Sequence, residues 1–448
     1  MPKAPVTAFV TTPDRKRLLA PVPLVSADVA GDVTVSVSNA AAQTMHGFGA
    51  SLTDSSAYLI SRLPGTKRDA LLRDLFGTSG IGFSVLRVPM GATDFSTRGS
   101  YTYNDLLPGE TDPDQKRFSI TPDEAYILPL LRQVRKIVPQ LVVIASPWTA
   151  PAWMKTSKNL HGGWLDWNSY AAYAKYFVRF VQAYAKAGVP VQYVTVQNEP
   201  RHESNSYPSM RMEPNDQARF VREHLAPAFR AARITTKILV WDHNWDTPDY
   251  PLAVLSDAEA RKQIAGVAWH GYGGKPDAQD IVRRAYPGME THFTESSGGA
   301  FASDFGANVR WDVSNLIVAA TKYGASTVLK WNLALDPAHG PKNGGCADCR
   351  GVVTINPATG DIVRNEEYYA FGHASQFVRP GAVRLETMDT PDFPCAAFRN
   401  KTGSLVVVGA NADTVRVRTL RVESAGRPPI CVSVPAGAAV SVVYSSAV

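Results

Sequence analysis

The strongest constraint on the fold of this chain is the regular alternation of strand-like and helix-like stretches through its middle. Eight short stretches rich in β-branched and aromatic residues predict buried strands, and they cover residues 47–51, 83–90, 141–147, 193–198, 237–241, 266–272, 292–295 and 327–333. Most of the intervals leave room for a helix. Residues 168–187 show the helical pattern clearly, with Gly188 after the end and one apolar stripe of Tyr173, Phe177, Phe180 and Val181. Eight strands with helical crossovers predict an α/β protein with a closed (β/α)₈ TIM barrel.

Both ends of the chain are predicted to form strands outside that barrel. The N-terminal stretches are 6–12, 22–26 and 33–37, and the C-terminal stretches are 395–399, 405–411, 415–422 and 439–444. The N-terminal strands are too short to fold alone. We therefore expect one accessory β-sandwich built from both chain ends, with residues 1–45 joining it, residues 46–383 forming the barrel and residues 384–448 completing it.

Composition and charge exclude several classes of protein. The formal net charge of +6 is modest for 448 residues, and no dense Lys/Arg run argues for a nucleic-acid partner. The sequence contains no run of about 18 apolar residues, so no transmembrane helix is predicted. Met1, Pro2 and Lys3 are not followed by the apolar core of a signal peptide. The protein is therefore either cytoplasmic or exported with its signal peptide absent from this sequence, and we expect secretion or a periplasmic location.

The four cysteines point to structure rather than to a metal. Cys346 and Cys349 form a C-x-x-C between glycines, but no second such pair or nearby histidine pair completes a zinc site. We expect a loop disulfide between them and no metal or cofactor. Cys395 and Cys431 both lie in the strand-rich C-terminal region, where they either pair or remain small core residues.

Two of the predicted barrel strands end in a carboxylate. Pro200 stops the ladder after residues 193–198, so Asn198 and Glu199 lie at the strand tip. Glu295 ends residues 292–295 in the same way. A (β/α)₈ barrel brings all such strand ends to one face. Two acids that flank a scissile bond are the arrangement of a glycosidase, and the alternative is a pair of ordinary polar strand ends.

Several motifs in one order strengthen the first interpretation. These are His46–Gly49 with Leu52-Thr53-Asp54, Arg87-Val88-Pro89-Met90, Ser146-Pro147-Trp148, Pro151-Ala152-Trp153-Met154-Lys155, Gln197-Asn198-Glu199-Pro200, Thr294-Glu295 and Trp331-Asn332-Leu333-Ala334-Leu335. The chain thereby resembles glycoside hydrolase family 30, the family of glucosylceramidases, from about residue 44 to 385. The resemblance implies a retaining β-glycosidase that needs no metal, with its carboxylates after strands four and seven.

The resemblance also implies residue roles. Glu199 matches the acid/base and Glu295 the nucleophile. Asn198 matches the ligand of the sugar 2-hydroxyl, and Asp94 matches the aspartate that binds outer hydroxyls, with a turn aspartate as its alternative.

Five further residues belong to the expected site. Trp148 and Trp331 either face the apolar side of a sugar or pack in the core. His270 and Tyr272 follow strand six, where they are expected to hold and polarise the nucleophile. Arg87 either keeps Glu295 ionised or belongs to a buried structural ion pair.

The expected partner is a carbohydrate with β-D-glucosyl linkages. Exo-cleavage of a glucoside or glucosylceramide is the leading interpretation, and endo-cleavage of β-1,6-glucan is the alternative, because residues 201–214 and 331–351 depart from vertebrate glucosylceramidases and resemble bacterial and fungal members. From another class, the chain could be a non-catalytic carbohydrate-binding protein. Substrate choice is expected in the loop 336–350, held compact by the disulfide on the aglycone side of the glucose site.

Overall fold

The middle of the chain closes into a barrel of eight parallel strands. The structure is a computed structural model that describes residues 6–26 and 31–446. Each strand pairs with its neighbours in the chain, and the eighth also pairs with the first. The strands are β1 Gly47–Ser51, β2 Val85–Pro89, β3 Val142–Ser146, β4 Tyr193–Thr195, β5 Lys237–Asn244, β6 Gly266–His270, β7 Glu290–Glu295 and β8 Ala325–Asn332. All eight predicted strands are thus confirmed, and so is the (β/α)₈ barrel.

Inside the barrel an apolar layer supports a polar one. The apolar layer contains Val85, Ile144, Tyr193, Leu239, Ala268 and Leu329. Side chains alternate between the two faces of a strand, so residues two positions further along point inward again. On four strands those positions are polar: Arg87, Ser146, Thr195 and His270. The sequence therefore places a polar floor under the carboxyl-terminal mouth of the barrel.

A bulge in β5 adds an acid to this floor. By simple alternation from Leu239, the inward position would be Trp241. The pairing of β5 with β6 shifts between Trp241 and His243, and Trp241 and Asp242 both have positive φ, 73° and 63°. Such a backbone is costly for residues with a side chain. The bulge gives Asp242 the inward position instead.

Helices surround the barrel, as the spacing of the strands predicts. The predicted helix over 168–187 is confirmed as Tyr170–Lys186, with its apolar stripe buried and Gly188 in the left-handed conformation after it. The helices are Asp54–Arg62, Gly65–Phe76, Thr121–Glu124, Ile127–Ile137, Tyr170–Lys186, Pro214–Phe220, Val221–Leu225, Ala226–Ala231, Asp249–Ser256, Ala258–Arg261, Ala278–Ala285, Phe305–Trp311, Asp312–Ala320 and Glu366–Ser375, with short turns at Ala152–Met154 and Trp167–Ser169. Among the described residues, no helix combines the length and apolar character needed to cross a membrane.

Both chain ends share one sheet, as expected. Within the described residues, nine strands pair in one sheet, in which the strand Val6–Thr11 lies beside Ala439–Tyr444. Strands from the two ends of this sheet pack their side chains into one apolar cluster. The sheet therefore has the two facing layers of a sandwich. The strands in chain order are Val6–Thr11, Ala20–Val22, Val33–Thr44, Val383–Met388, Cys395–Arg399, Leu405–Ala410, Arg418–Ser424, Ile430–Val434 and Ala439–Tyr444.

The strand predictions in this sheet contain specific errors. Ile430–Val434 was not predicted, because it lies between Pro429 and Pro435, residues that usually signal turns. Residues 22–26 do not form the predicted strand, since the strand there is Ala20–Val22 and Val25 makes only a single bridge. Cys395 is a buried free thiol in the core and so does not form a disulfide.

One histidine joins the barrel to the sandwich. His373 lies in the helix Glu366–Ser375 and is fully buried. Its Nδ1 lies 2.7 Å from Ser441 Oγ, and its Nε2 lies 2.8 Å from Thr11 Oγ1. Ser441 Oγ donates to the His373 carbonyl, so the ring Nδ1–H donates to Ser441 and Nε2 accepts from Thr11. Both chain ends are thereby tied to one barrel helix.

Replacing His373 by Gln should destabilise the fold by about 1–3 kcal/mol near neutral pH, because two buried hydroxyls lose their partner. Burial lowers the pKa of His373 from 6.5 to about 3. Unfolding therefore takes up a proton between these values, and the wild type loses stability as the pH falls through this window. The difference in melting temperature between the wild type and H373Q should narrow as the pH is lowered from about 7.5 to about 5.

The matched control is H161Q, at a half-buried loop histidine outside this interface. It should cost little stability at either pH. A difference for H373Q that stays constant with pH would show that its role is packing alone.

Candidate active site

The polar layer of the barrel is centred on Asp242, which is fully buried. Side chains from five other strands lie 2.7–3.1 Å from its two carboxylate oxygens: Arg87, Ser146, Thr195, His270 and Thr294. Burial raises the pKa of Asp242, but the charge of Arg87 and the hydrogen bond with His270 hold it well below its usual range. Asp242 is therefore a fixed negative charge that orients the groups above it.

Arg87 links Asp242 to the mouth of the barrel. Its Nη2 donates to Asp242 Oδ2 at 2.8 Å and to Asn198 Oδ1 at 2.7 Å, and its Nη1 donates to Glu295 Oε2 at 2.6 Å. The guanidinium carbon also lies 4.8 Å from the ring centroid of Trp148. Arg87 thus faces Glu295 and belongs to a buried ion-pair network at the same time.

The two strand-tip glutamates lie close together, as the barrel topology predicts. Glu199 follows β4 with a φ of 45°, and Glu295 ends β7. One carboxylate oxygen of each lies within 4.8 Å of the other. Tyr272 Oη donates to Glu295 Oε1 at 2.8 Å. His270 Nδ1 lies 3.0 Å from Glu199 Oε1, whereas its Nε2 is 3.9 Å from Glu295, so His270 contacts Glu199 and Asp242 rather than the glutamate expected from the sequence.

His270 carries much of the electrostatic balance of the site. Although burial lowers its pKa, the charge of Glu295 and the hydrogen bonds to Asp242 and Glu199 raise it to about 9. The charged ring in turn lowers the pKa of Glu199 to about 2, against the effect of burial. These shifts place the proton of the hydrogen bond between the two residues on His270, and moving it to Glu199 would leave the net charge unchanged.

The same three residues, Glu199, His270 and Glu295, offer ligand atoms at spacings that suit a metal ion. The guanidinium of Arg87 lies 2.6 Å from Glu295, and a fixed cation there opposes the binding of a second cation. The donor set thus favours a hydrogen-bonded acid pair over a metal centre.

A cavity of about 430 Å³ opens above the glutamates. Of the residues predicted to bind substrate, those on its lining are Asp94, Trp148, Asn198, Tyr272 and Trp331. His270 and Arg87 lie beneath it, fully buried.

Two tryptophans form part of the cavity wall. Trp148 and Trp331 stack with ring centroids 5.1 Å apart, and each is only 3% exposed. Each packs in a small apolar cluster and also lines the cavity. The core role considered from the sequence is thus present, and contact with the apolar side of a sugar stays a prediction.

Asp94 is half-buried on the same lining. Burial raises its pKa well above the ordinary value, and the charges of Glu295 and Glu199 raise it further. A raised pKa favours the protonated form, in which a carboxyl group donates as well as accepts hydrogen bonds.

The loop after β8 closes one side of the cavity. Cys346 and Cys349, joined by a disulfide, both lie on the lining. A side chain at Gly345 would place its Cβ 2.4 Å from Asp94 Cβ, and one at Gly344 would lie 2.2 Å from the Ser206 carbonyl oxygen. The loop therefore packs its backbone directly on Asp94 and on the loop after β4.

Sequence reasoning missed several residues of the site. His202, Tyr207, His243 and Asn244 also line the cavity, and Asp242 lies below it. The segment Asp242-His243-Asn244 directly follows the predicted end of strand five, so the rule that identified Glu199 would have found it. His202 and Tyr207, whose Nε2 and Oη lie 2.7 Å apart, belong to an irregular loop without a periodic signal.

The fold and the paired carboxylates together define a glycoside hydrolase. Residues 45–378 match the family model for the "Glycosyl hydrolase family 30 TIM-barrel domain", and residues 381–442 match that for the "Glycosyl hydrolase family 30 beta sandwich domain". The chain therefore belongs to glycosyl hydrolase family 30.

Individual relatives include enzymes with two different substrates in their names. An endo-1,6-beta-D-glucanase of Neurospora crassa is 33% identical over 351 residues, which cover 76% of this chain and 72% of that protein. The lysosomal acid glucosylceramidase of Mus musculus is 32% identical over 402 residues, covering 82% and 75%. Among solved structures, the endo-beta1,6-glucanase BT3312 aligns with a TM-score of 0.91 and 33% identity, over 99% of this chain and 100% of that chain.

Replacing Gly345 by Ala should lower kcat/KM for an aryl β-glucoside at least about tenfold, because the added methyl group must displace either Asp94 or the loop. Steady-state kinetics and a melting curve measure the two effects separately. The matched control is G65A, because a Cβ at Gly65 would meet only an Arg68 side-chain atom at 3.9 Å. Unchanged kinetics for G345A would show that the loop does not position Asp94.

Proposed function

We propose that this enzyme is a retaining endo-β-1,6-glucanase that hydrolyses β-1,6-linked glucan. The observation that carries the mechanism is the approach of the Glu199 and Glu295 carboxylates to within 4.8 Å. Retaining glycosidases have carboxyl groups about 5–5.5 Å apart, whereas inverting enzymes need about 6.5–9.5 Å to admit a water. The linkage is supported by the names of relatives, the Neurospora endo-1,6-beta-D-glucanase and BT3312.

Glu295 is the proposed nucleophile. Burial and the neighbouring Glu199 raise the pKa of Glu295, and the charges of His270 and Arg87 and the hydrogen bond from Tyr272 act against this rise. Arg87 and Tyr272 hydrogen-bond one carboxylate oxygen each and so orient the group. An ionised carboxylate can attack the anomeric carbon and form the covalent glycosyl-enzyme intermediate.

Glu199 is the proposed acid/base, with His270 as its proton store. Acid catalysis needs a proton on Glu199, and in the unliganded site that proton is drawn to His270. We propose that it passes from His270 Nδ1 to the Glu199 carboxylate as the glycosidic bond breaks, so that Glu199 protonates the leaving oxygen. In the second step Glu199 takes a proton from the attacking water and passes it back to His270 Nδ1, which restores the starting state.

The remaining cavity residues are proposed to bind the glucosyl unit. Asn198, oriented by Arg87, is suited to the 2-hydroxyl, and Asp94 to the outer hydroxyls. Trp148 and Trp331, which line the cavity, offer aromatic surface to the ring C–H groups. Oriented polar groups beside aromatic walls are the usual composition of a ligand pocket.

Glucosylceramide is the second candidate substrate, favoured by the 32% identity to the mouse lysosomal acid glucosylceramidase. The disulfide-closed loop after β8 argues against it, because that loop narrows the mouth of the cavity. The same disulfide supports a proposed location outside the cytoplasm, where such bonds persist.

The test of the function is a hydrolysis screen with β-1,6-glucan, β-1,3-glucan, glucosylceramide and an aryl β-glucoside. We expect the fastest turnover on β-1,6-glucan, with a mixture of oligosaccharides among the early products. Proton NMR of the first products should show the β anomer before mutarotation. Release of glucose alone, or faster turnover of glucosylceramide, would refute the endo-β-1,6 assignment.

Chemical rescue should separate the roles of the two glutamates. E295A should fall below about a thousandth of wild-type activity on every substrate, and azide should restore cleavage of an activated aryl glucoside with an α-glucosyl azide as product. E199A should still cleave activated glucosides in its first step, and azide should give a β-glucosyl azide.

The matched control for both is E203A, which removes an acid from the loop after β4 that contacts Gly163 and Arg211. It should keep turnover and form no azide adduct. If each variant gave the azide product of the opposite anomeric form, the roles assigned to Glu199 and Glu295 would have to be exchanged.

A further inference from the structure

A second cavity adjoins the catalytic one. It has a volume of about 410 Å³ and shares Tyr272, Ser297 and Phe301 with the cavity above the glutamates. Both volumes fall in the range of about 300–1,000 Å³ that is typical of ligand sites. The shared residues make the two cavities neighbours along one surface.

Exposed aromatic side chains line this second cavity. Tyr272 is 46% exposed, Phe301 62% and Trp311 42%. Large aromatic side chains are normally buried, and several exposed together usually mark a binding surface. Aromatic faces suit the C–H faces of glucose rings.

Buried charges form the other part of its lining. Lys330 Nζ lies 3.0 Å from Asp312 Oδ1, and Glu367 also lines the cavity, although each of these residues is almost completely buried. Gly298 makes room for this group, because a Cβ there would lie 1.7 Å from Glu367 Oε1. Fixed polar groups beside aromatic walls provide partners for sugar hydroxyls.

The topology of the barrel tells which part of a substrate would reach this cavity. Asp94 and Trp148 follow β2 and β3, whereas Tyr272 and Phe301 follow β6 and β7. In a closed ring of eight strands, β6 and β7 lie opposite β2 and β3. If Asp94 and Trp148 hold the glucosyl unit that is transferred, the second cavity lies on the side of the leaving group.

We propose that the second cavity, with Trp311 and Phe301 as its aromatic wall, binds glucosyl units of the leaving group from the second unit after the cleaved bond onward. This inference rests on the proposed function. It makes the enzyme selective for chain length, because only a longer chain fills both cavities, and a disaccharide fills the catalytic one alone.

The test compares Trp311→Ala with the wild type on ladders of β-1,6-linked and β-1,3-linked gluco-oligosaccharides. The quantity to measure is kcat/KM for the hexasaccharide divided by kcat/KM for the disaccharide, on the ladder that the wild type cleaves. This ratio should fall about fivefold in W311A, because one aromatic face that contacts the longer chain is lost. Phe301→Ala should reduce the same ratio. The matched control is W167A, an exposed tryptophan on the lining of neither cavity, and its ratio should stay within about twofold of the wild type.

A binding measurement distinguishes loss of the second binding site from poor folding of the variant. The E295Q variant is expected to bind oligosaccharides without turnover. In calorimetric titrations, adding W311A to E295Q should weaken the affinity for the hexasaccharide. The affinity for the disaccharide should stay unchanged. The identity of the ladder that the wild type cleaves tests the proposed function. An unchanged length ratio and unchanged hexasaccharide affinity in W311A would overturn the second site and leave the proposed function intact.

Discussion

The site depends on one buried carboxylate, Asp242, whose side chain has no exposure to solvent. An isolated charge in a protein interior is too costly to persist, so Asp242 requires the cation of Arg87 and the ring of His270. Those two residues in turn contact Glu295 and Glu199. The positions of both glutamates are therefore set from below by Arg87 and His270, and removal of either cation leaves buried carboxylates without a compensating charge. This explains how two acids remain close together in a buried site.

The upper part of the site is organised by the loops that follow β7 and β8. The strand Gly298–Gly299 pairs with Cys349–Arg350, so these loops form one unit. Arg350 in turn contacts Glu366 and Glu367 on the helix behind. Glycines occur where this unit meets its neighbours, because any side chain there would overlap a carboxylate or a backbone oxygen. The width of the cavity mouth is thus fixed by backbone packing, which tolerates less variation than side-chain contacts.

Much of this arrangement could be predicted from the sequence, and the exceptions have physical reasons. The barrel strands were predictable because apolar runs and turn residues are local signals. Glu199 and Glu295 followed from topology, since parallel strands deliver their ends to one face. Asp242 directly follows the predicted end of strand five and could have been included by the same rule, but its inward direction could not be predicted, because the bulge breaks the alternation on which strand reasoning depends. The second cavity was equally invisible, since Trp311 becomes a wall only through the way two loops fold together.

The pairing of the strand Val6–Thr11 with Ala439–Tyr444 has a consequence for biosynthesis. The ribosome makes the first of these strands before the barrel and the second after it. Until translation reaches the final strand, the first presents an open edge, and such edges are prone to aggregate. The sandwich therefore cannot finish folding before residues 439–444 have been made, and contacts between residues so distant in sequence form slowly. A nascent chain of this enzyme should depend on chaperones for longer than its barrel alone would require.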